Sequence, residues 1–498
     1  MALAGQVRKP YDQSVPGADS SKDTSAKSTA YAALIRILPD SRRSDYDCTI
    51  DKNNAMNEKL EDHKYPKRSH AYATVAVLTV ANVIAFIDRQ IPAMLVGPIK
   101  QDFGLSDSQV ALLIGAAFSV FYAVMALPIG YAVDRLRRNQ VLGVGIFVWS
   151  FMTMSAVFAT SYAKLFGARM GVAAGEASIA PTSVSLVSDS FPENQRGKAM
   201  GVITAGVYIG VGISLWGGGY LIDYLTRIGG LSLPLIGDVK PWQAVFLIAG
   251  LPGFLLSAVV FLMPEPGRSG AANAPSGKTF GKDLLIHINQ HRQTLLLMFS
   301  GLVFMAIIFY SFSAWAPTMM VRTHAISLAE AGMMLGILTI VCSITGTILA
   351  GIAVDRLIVL GYRDAPVRAA MLACLLALPP IVLAPLMESL TLAWILLGFY
   401  LLFISSYATL GLLAVSGVAG THVKGQMTAV FALLMMIFSS TMGPQLTAFF
   451  TDFVFADESK LNWSVSLTGG LALPIAAVFF RLSMAHYARS SERISRSL

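Results

Sequence analysis

Four charged residues stand inside long apolar runs: Asp88 and Arg89 in one, Arg169 and Glu176 in another. A charge at membrane depth is costly to keep, so each is a functional candidate by default. Asp88 and Arg89 are adjacent, so on a helix they point about 100° apart. Arg169 and Glu176 are seven residues apart and share a helix face, two turns from one another. Glu176 can meet Arg89 or Asp88 near mid-depth. Arg169 can meet Asp88 or an anionic ligand. Two carboxylates and two guanidiniums sum to zero when all are charged, and protonating one acid frees a guanidinium to bind an anion. The expected roles are proton carriage by Asp88 and Glu176, with Arg89 and Arg169 as counter-charge and anion site.

These residues need elements that hold them in an apolar solvent. The chain has 498 residues, 55% of them hydrophobic and 13% charged. A soluble domain carries about 25% charged residues. The deficit excludes a disordered chain, a soluble enzyme and a nucleic-acid binder with basic charge spread over its surface. Twelve apolar runs of spanning length follow. They cover about 71–98, 108–133, 140–160, 162–188, 198–223 and 242–263, then 295–318, 328–354, 366–387, 391–418, 425–449 and 464–486. The expected fold is an all-α integral membrane protein, two pseudo-symmetric six-helix bundles over 71–263 and 295–486. A polar, largely disordered tail over 1–70, a linker over 264–294 and a short tail over 487–498 complete it.

Loop charge orients the chain. With the N-terminus inside, the inner loops and C-terminal tail hold 17 Lys and Arg, against six in the outer loops. That asymmetry predicts cytoplasmic N- and C-termini. An internal repeat agrees with an even span count. Gly130-Tyr-Ala-Val-Asp134-Arg135-Leu136 closes the second run, and Gly351-Ile-Ala-Val-Asp355-Arg356-Leu357 closes the eighth. Two equivalent halves suggest a transporter with its site between them near mid-membrane. Gly130 is expected to let helices approach closely. Asp134 is expected to bond a neighbouring helix N-terminus or to pair with Arg196.

The stretch Gly130-x-x-x-Asp134-Arg135-x-x-Arg138 resembles the loop signature of the major facilitator superfamily. The resemblance covers 71–486 and implies rocker-switch alternating access, with Gly130, Asp134, Arg135, Arg138, Arg196, Asp355 and Arg356 as a conformational latch. Phe86-Ile-Asp88-Arg89, with Arg169 and Gly175-Glu176-Ala177-Ser178, resembles the Spinster branch. That branch is associated with lysophospholipids and sphingosine-1-phosphate, and its proton-coupling acids map onto Asp88 and Glu176. A Gly-Glu-Ala on the fourth span also occurs in organic-anion carriers. Ala173 departs from the usual glycine, and Val211 follows Gly210 where drug antiporters carry proline.

The second half has no charge within its runs but is rich in aromatics. Phe309 and Trp315, the trio Tyr400, Phe403 and Tyr407, and Phe431 are candidates for an amphiphile slot. The trio, at i, i+3 and i+7, predicts one helix face. The expected function is proton-coupled secondary transport of an amphipathic anion; the alternative is a carrier of small carboxylates or sugar acids. No enzyme activity, nucleic-acid partner, metal or cofactor is expected, the proton gradient being the energy source. A phosphate-cradling Gly-x-x-x-x-Gly-Lys loop and clustered Cys/His ligands are both lacking in the sequence. His287 and His291 are expected to be solvated. The chain is expected to work as a monomer in a bacterial inner membrane.

Overall fold

Eleven helices among the described residues are long and apolar enough to cross a bilayer, and a broken helix makes a twelfth crossing. The computed structural model describes residues 65–234, 237–267, 282–420 and 423–497. The expectations for the tail up to residue 64 and for the middle of the linker lie outside them. Span one is Arg68–Met94, span two Asp107–Arg135, span three Arg138–Phe158, span five Glu193–Arg227 and span six Pro241–Leu262. Span four is the broken one, Tyr162–Glu176 followed by Ile179–Ser190. Neither piece alone covers a hydrocarbon core of about 30 Å at about 1.5 Å per residue. Spans seven to twelve are Arg292–His324, Leu328–Val359, Ala365–Leu386, Leu390–Val418, Lys424–Val454 and Leu461–Ser497.

Local chemistry sets the ends and bends. Gly104 closes the short helix after span one in the left-handed region, φ 64°. Ser106 opens span two with a reciprocal capping box to Gln109. Span ten breaks at Ser405–Ser406, between helices ending at Ile404 and starting at Tyr407. The linker holds a helix, Lys282–Gln290, that composition did not suggest. His287 and His291 are buried rather than solvated. They dock this segment on span ten and span twelve, through the Val418 carbonyl at 2.9 Å and the Ser490 hydroxyl at 3.0 Å.

Span one begins and span twelve ends at the same side of the bundle, termed here the terminal face. At the opposite face the two halves meet closely. A Cβ built on Gly336 would lie 2.7 Å from the Gly212 carbonyl oxygen, and one on Gly115 would lie 2.7 Å from that of Ser440. Pro444 has no N–H to give Ser440 in return, so that carbonyl is left for a neighbour. Ser119 donates to Ser440 at 2.9 Å. Toward the terminal face the same helices part: at Gly130, Gly201, Gly351 and Gly425 a Cβ would meet nothing within 4 Å. The molecule is therefore closed at the opposite face and open at the terminal face.

Charge reinforces the closed side. Asp107, fully buried, takes Lys100 at 2.5 Å and Arg322 from span seven at 2.8 and 3.1 Å. Glu458, before span twelve, reaches Lys100 at 2.8 Å and Arg322 at 3.5 Å. The Ser108 N–H donates to Asp452 at 2.7 Å. These bonds clasp the two halves together.

Candidate functional site

The four intramembrane charges form one cluster within the first half. Glu176 is fully buried, and its Oε2 takes both Nη2 of Arg89 at 2.6 Å and Nε at 3.2 Å. Asp88, also fully buried, accepts from the Thr153 hydroxyl of span three at 3.2 Å. Arg169 does not pair with the Asp88 carboxylate; its Nη1 donates instead to the Asp88 main-chain carbonyl at 3.1 Å. Of the alternatives open from spacing, Glu176 therefore meets Arg89, and Arg169 meets the backbone of span one.

The cluster is left partly unsatisfied. Asp88 Oδ1, Glu176 Oε1 and the Nε and Nη2 of Arg169 are buried without a hydrogen-bond partner. Unpaired buried polar atoms are expensive, and native structures contain few. Here four converge in one place, on two acids and one guanidinium. Aromatic faces wall the cluster. The Arg89 guanidinium lies 4.4 Å from the ring centres of Phe86 and Phe118, and Arg169 lies 5.5 Å from that of Phe118. Cations over such faces gain electrostatic stabilisation where water is scarce.

The position of Glu176 follows from close backbone packing. A Cβ on Gly175 would stand 2.6 Å from the Gly145 carbonyl oxygen and 2.7 Å from the Trp149 nitrogen. Spans three and four touch through glycine on both sides, and this fixes the depth of Glu176. Span four then breaks at Ala177 and Ser178, and the Ser178 hydroxyl takes up the Gly175 carbonyl at 2.8 Å.

The second half contributes less than its aromatic content suggested. Phe309 and Tyr407 stand together, ring centres 4.7 Å apart, and Tyr407 donates to Tyr310 at 3.4 Å. Tyr400 and Trp315 are fully buried in helix packing, their polar atoms spent on the Ile308 carbonyl at 3.1 Å and the Pro444 carbonyl at 2.9 Å. A buried Tyr or Trp needs such a partner, so neither is free to line a slot. Phe431 is buried against Phe299 and Gly411. Phe403 turns instead to a small apolar cavity of about 200 Å³ shared with Leu349 and Leu372. The single face expected for the trio presumed an unbroken helix, and span ten is broken between Phe403 and Tyr407.

The latch residues are dispersed in this conformation. Arg138 is buried and bonds Glu265 at 3.0 Å, the Ser185 hydroxyl at 3.2 Å, the Pro266 carbonyl at 2.6 Å and Asp189. It ties spans three, four and six together inside one half. Arg196 donates to the carbonyls of Ser188 at 2.8 Å and Phe191 at 3.0 Å. Asp134, Arg135, Asp355 and Arg356 are exposed at the open face. Gly130 makes no close helix approach, contrary to expectation: a Cβ there would meet nothing within 4 Å.

Several residues here escaped sequence reasoning. Thr153, Tyr310 and Phe118 are uncharged, so no cost marks them in an apolar run. Tyr208 of span five joins the halves by donating to the Ser405 carbonyl at 3.1 Å. Gln90, beside Arg89, donates to the Ser313 carbonyl at 2.7 Å and accepts from the Ser313 hydroxyl at 2.9 Å. A polar residue next to an intramembrane charge pair was the available signal for Gln90.

Comparison with known proteins fits this geometry. A model of the Major Facilitator Superfamily matches residues 78–444. An MFS-type efflux pump of Mycolicibacterium smegmatis is 27% identical over 442 residues, covering 87% of this chain and 97% of the relative. A D-galactonate transporter of Escherichia coli O6:H1 is 25% identical, over 58% of this chain and 68% of its own. Among solved structures, a bacterial homologue of the human lysosomal transporter Spinster, inward-facing and unoccupied, superposes with a TM-score of 0.69. It is 23% identical over 86% of this chain and 99% of that one.

Proposed function

The chain belongs to the Major Facilitator Superfamily, and on that premise we propose that it is a proton-coupled transporter of an amphipathic anion, a lysophospholipid or a sphingosine-1-phosphate-like lipid. The observation that carries this reading is the half-satisfied cluster. Two acids and two guanidiniums share the site, yet Arg169 keeps two buried donors unused and each acid keeps one oxygen unused. Those donors suit an anionic head. The unused carboxylate oxygens suit a proton.

In this reading the terminal face is cytoplasmic, because the basic loops lie there, and the open state faces inward. A proton on Glu176 dissolves its ion pair and frees Arg89 for the anion. Phe309, Tyr310 and Tyr407 meet the substrate from the second half. One chain suffices, since all four charges of the cluster come from it, and a bacterial inner membrane is the proposed location.

A second reading, a carrier of sugar acids, is favoured by the hydroxyls of Tyr310 and Tyr407 and by the likeness to a galactonate transporter. The test is flux in proteoliposomes under a pH gradient, with lysophospholipid and galactonate as alternative substrates. Asp88→Asn and Glu176→Gln are expected to abolish proton-driven uptake. Full uptake in both variants overturns the coupling, and uptake of galactonate alone overturns the lipid.

A further inference from the structure

Two cavities on the flank of the first half join into one shape. The first, about 650 Å³, lies just beyond the end of span two and is lined by Arg135, Arg137, Asn139 and Glu265. The second, about 620 Å³, is a cleft between spans two and three, walled by Met125, Ile129, Val144 and Val148. They meet at Leu136, Gln140 and Phe261, which line both. Every residue of this shape comes from the first half, so it opens sideways and not into the space between the halves. Leu136, Val144 and Phe261 are each about half exposed on that flank, where the solvent is lipid.

The polarity is ordered along the cleft. At the mouth, Arg135 and Arg137 form no ion pair with a described residue, whereas Glu265 is already taken by Arg138. Arg138 is shared between Glu265 and Asp189 and Arg135 lies over the Tyr131 ring at 4.2 Å, so the mouth offers two guanidiniums without a carboxylate partner among the described residues. Inward the walls are aliphatic. From Leu136 to Met125 span two rises about 16 Å, close to half of the ~30 Å hydrocarbon thickness. That is the depth of one leaflet.

We propose that this cleft is a binding site for an anionic glycerophospholipid of the surrounding bilayer. Its phosphate sits between Arg135 and Arg137, and an acyl chain lies along spans two and three. Basic pockets beside transmembrane helices favour anionic headgroups by charge alone, and the aliphatic cleft holds the chain that a free anion lacks. The floor of the cleft is Ala174, Gly175 and Ser178, the break that follows Glu176. A bound chain thus rests on the backbone that sets the depth of the intramembrane carboxylate.

The test is lipid retention by the purified full chain, followed by native mass spectrometry. Phosphatidylglycerol and phosphatidylcholine with identical acyl chains are compared, with inorganic phosphate as competitor. Phosphatidylglycerol is expected to bind more tightly. The double change Arg135→Gln and Arg137→Gln is expected to weaken it about thirtyfold, the share of two surface arginines, and to erase the headgroup preference. Val144→Trp, which fills the cleft and leaves the charges in place, is expected to weaken both lipids. Equal binding of the two lipids, unchanged binding by the double variant, unchanged binding by Val144→Trp, or displacement by millimolar phosphate overturns the proposal.

Discussion

Replacing Asp107 by asparagine is expected to open the closed face. Asp107 is the hub of that face: its carboxylate, wholly buried, holds Lys100 from its own half and Arg322 from the other. Asparagine keeps the shape and one acceptor but removes the charge. Two cations are then left at the interface with only the exposed Glu458 as an acidic partner among the described residues. Breaking a fully buried pair costs about 3–5 kcal/mol, but Arg322 is 18% exposed and Lys100 12%, so the upper end does not apply. The Lys100–Glu458 arm is worth under about 1 kcal/mol, because Glu458 is 60% exposed. A loss of about 2–3 kcal/mol remains, which shifts the equilibrium toward opening by roughly thirty- to a hundred-and-fortyfold.

Ser119 reports that shift. It lies about 18 Å below Asp107 along span two and is sealed against Ser440 in the present state. With Cys48, Cys342 and Cys374 replaced, a Ser119→Cys protein is treated with an impermeant maleimide from the closed side. Its labelling rate follows the population with that face open. Asp107→Asn is expected to raise the rate by the factor above, and Glu330→Gln, an exposed acid at the same face, is expected to leave it unchanged. Adding Arg322→Gln to Asp107→Asn removes one of the stranded cations, so the pair of changes is expected to open the face less than the sum of each alone. A labelling rate that does not move in Asp107→Asn, or that moves equally in Glu330→Gln, would falsify the clasp.

Two further outcomes follow from packing and from titration. Gly175→Ala drives a methyl into the backbone of span three and is expected to cost about 1–3 kcal/mol, read as a fall in melting temperature. Gly130→Ala meets nothing within 4 Å and is expected to leave that temperature in place; a matching fall would contradict the open terminal face. His291, outside the spans, is held below its ordinary value by burial and by the neighbouring His287 and Arg493. An undocked segment takes up that proton near pH 6.5, whereas the docked one resists it until lower pH. Docking of Lys282–Gln290 is therefore strongest above about pH 6.5 and weakens as the pH falls below it. Amide exchange over these residues, corrected for its intrinsic pH dependence, is expected to be faster at pH 5.5 than at pH 7.5. Equal protection at both values, or the same change in His291→Gln, would exclude this.

What could be read from the residues was what carries a large energy or a strict period. Helices that cross lipid must be long and apolar, so the crossings are legible, including span four, whose break leaves its length and apolarity intact. Intramembrane charges are expensive, so Asp88, Arg89, Arg169 and Glu176 stood out, and the pairing of Glu176 with Arg89 was among the options spacing left open. Helix rotation about its own axis is not encoded in any one span. Hence Arg169, for which spacing left Asp88 and an anionic ligand open, turns to the Asp88 carbonyl, and the Asp88 carboxylate takes its bond from Thr153. Asp107 was hidden because a short acid after Ser106 looks like ordinary cap chemistry; its burial depends on Arg322, some two hundred residues away. Tyr400 and Trp315 were overread because an aromatic with a polar tip fits a slot and a packed core equally well until its acceptor is known.

The two charge networks differ in what they join, and this limits how one can act on the other. The Asp107 network bridges the halves. The Asp88–Glu176 cluster lies wholly within the first half, so a proton arriving there breaks no bond between halves. A mechanical link must carry the change outward. Gln90 is the nearest bridge: it follows Arg89 directly, and its amide exchanges two hydrogen bonds with Ser313 of span seven. On a helix it points about 100° away from Arg89, so a reorientation of span one that releases Arg89 from Glu176 also turns Gln90 from Ser313. Tyr208 of span five is the parallel contact, reaching the Ser405 carbonyl of span ten. If Glu176 carries the proton, rotation of span one is the step by which its charge is felt across the interface. The direct ion pair between halves, at Asp107, then serves to hold one state until that rotation weakens the contacts beneath it.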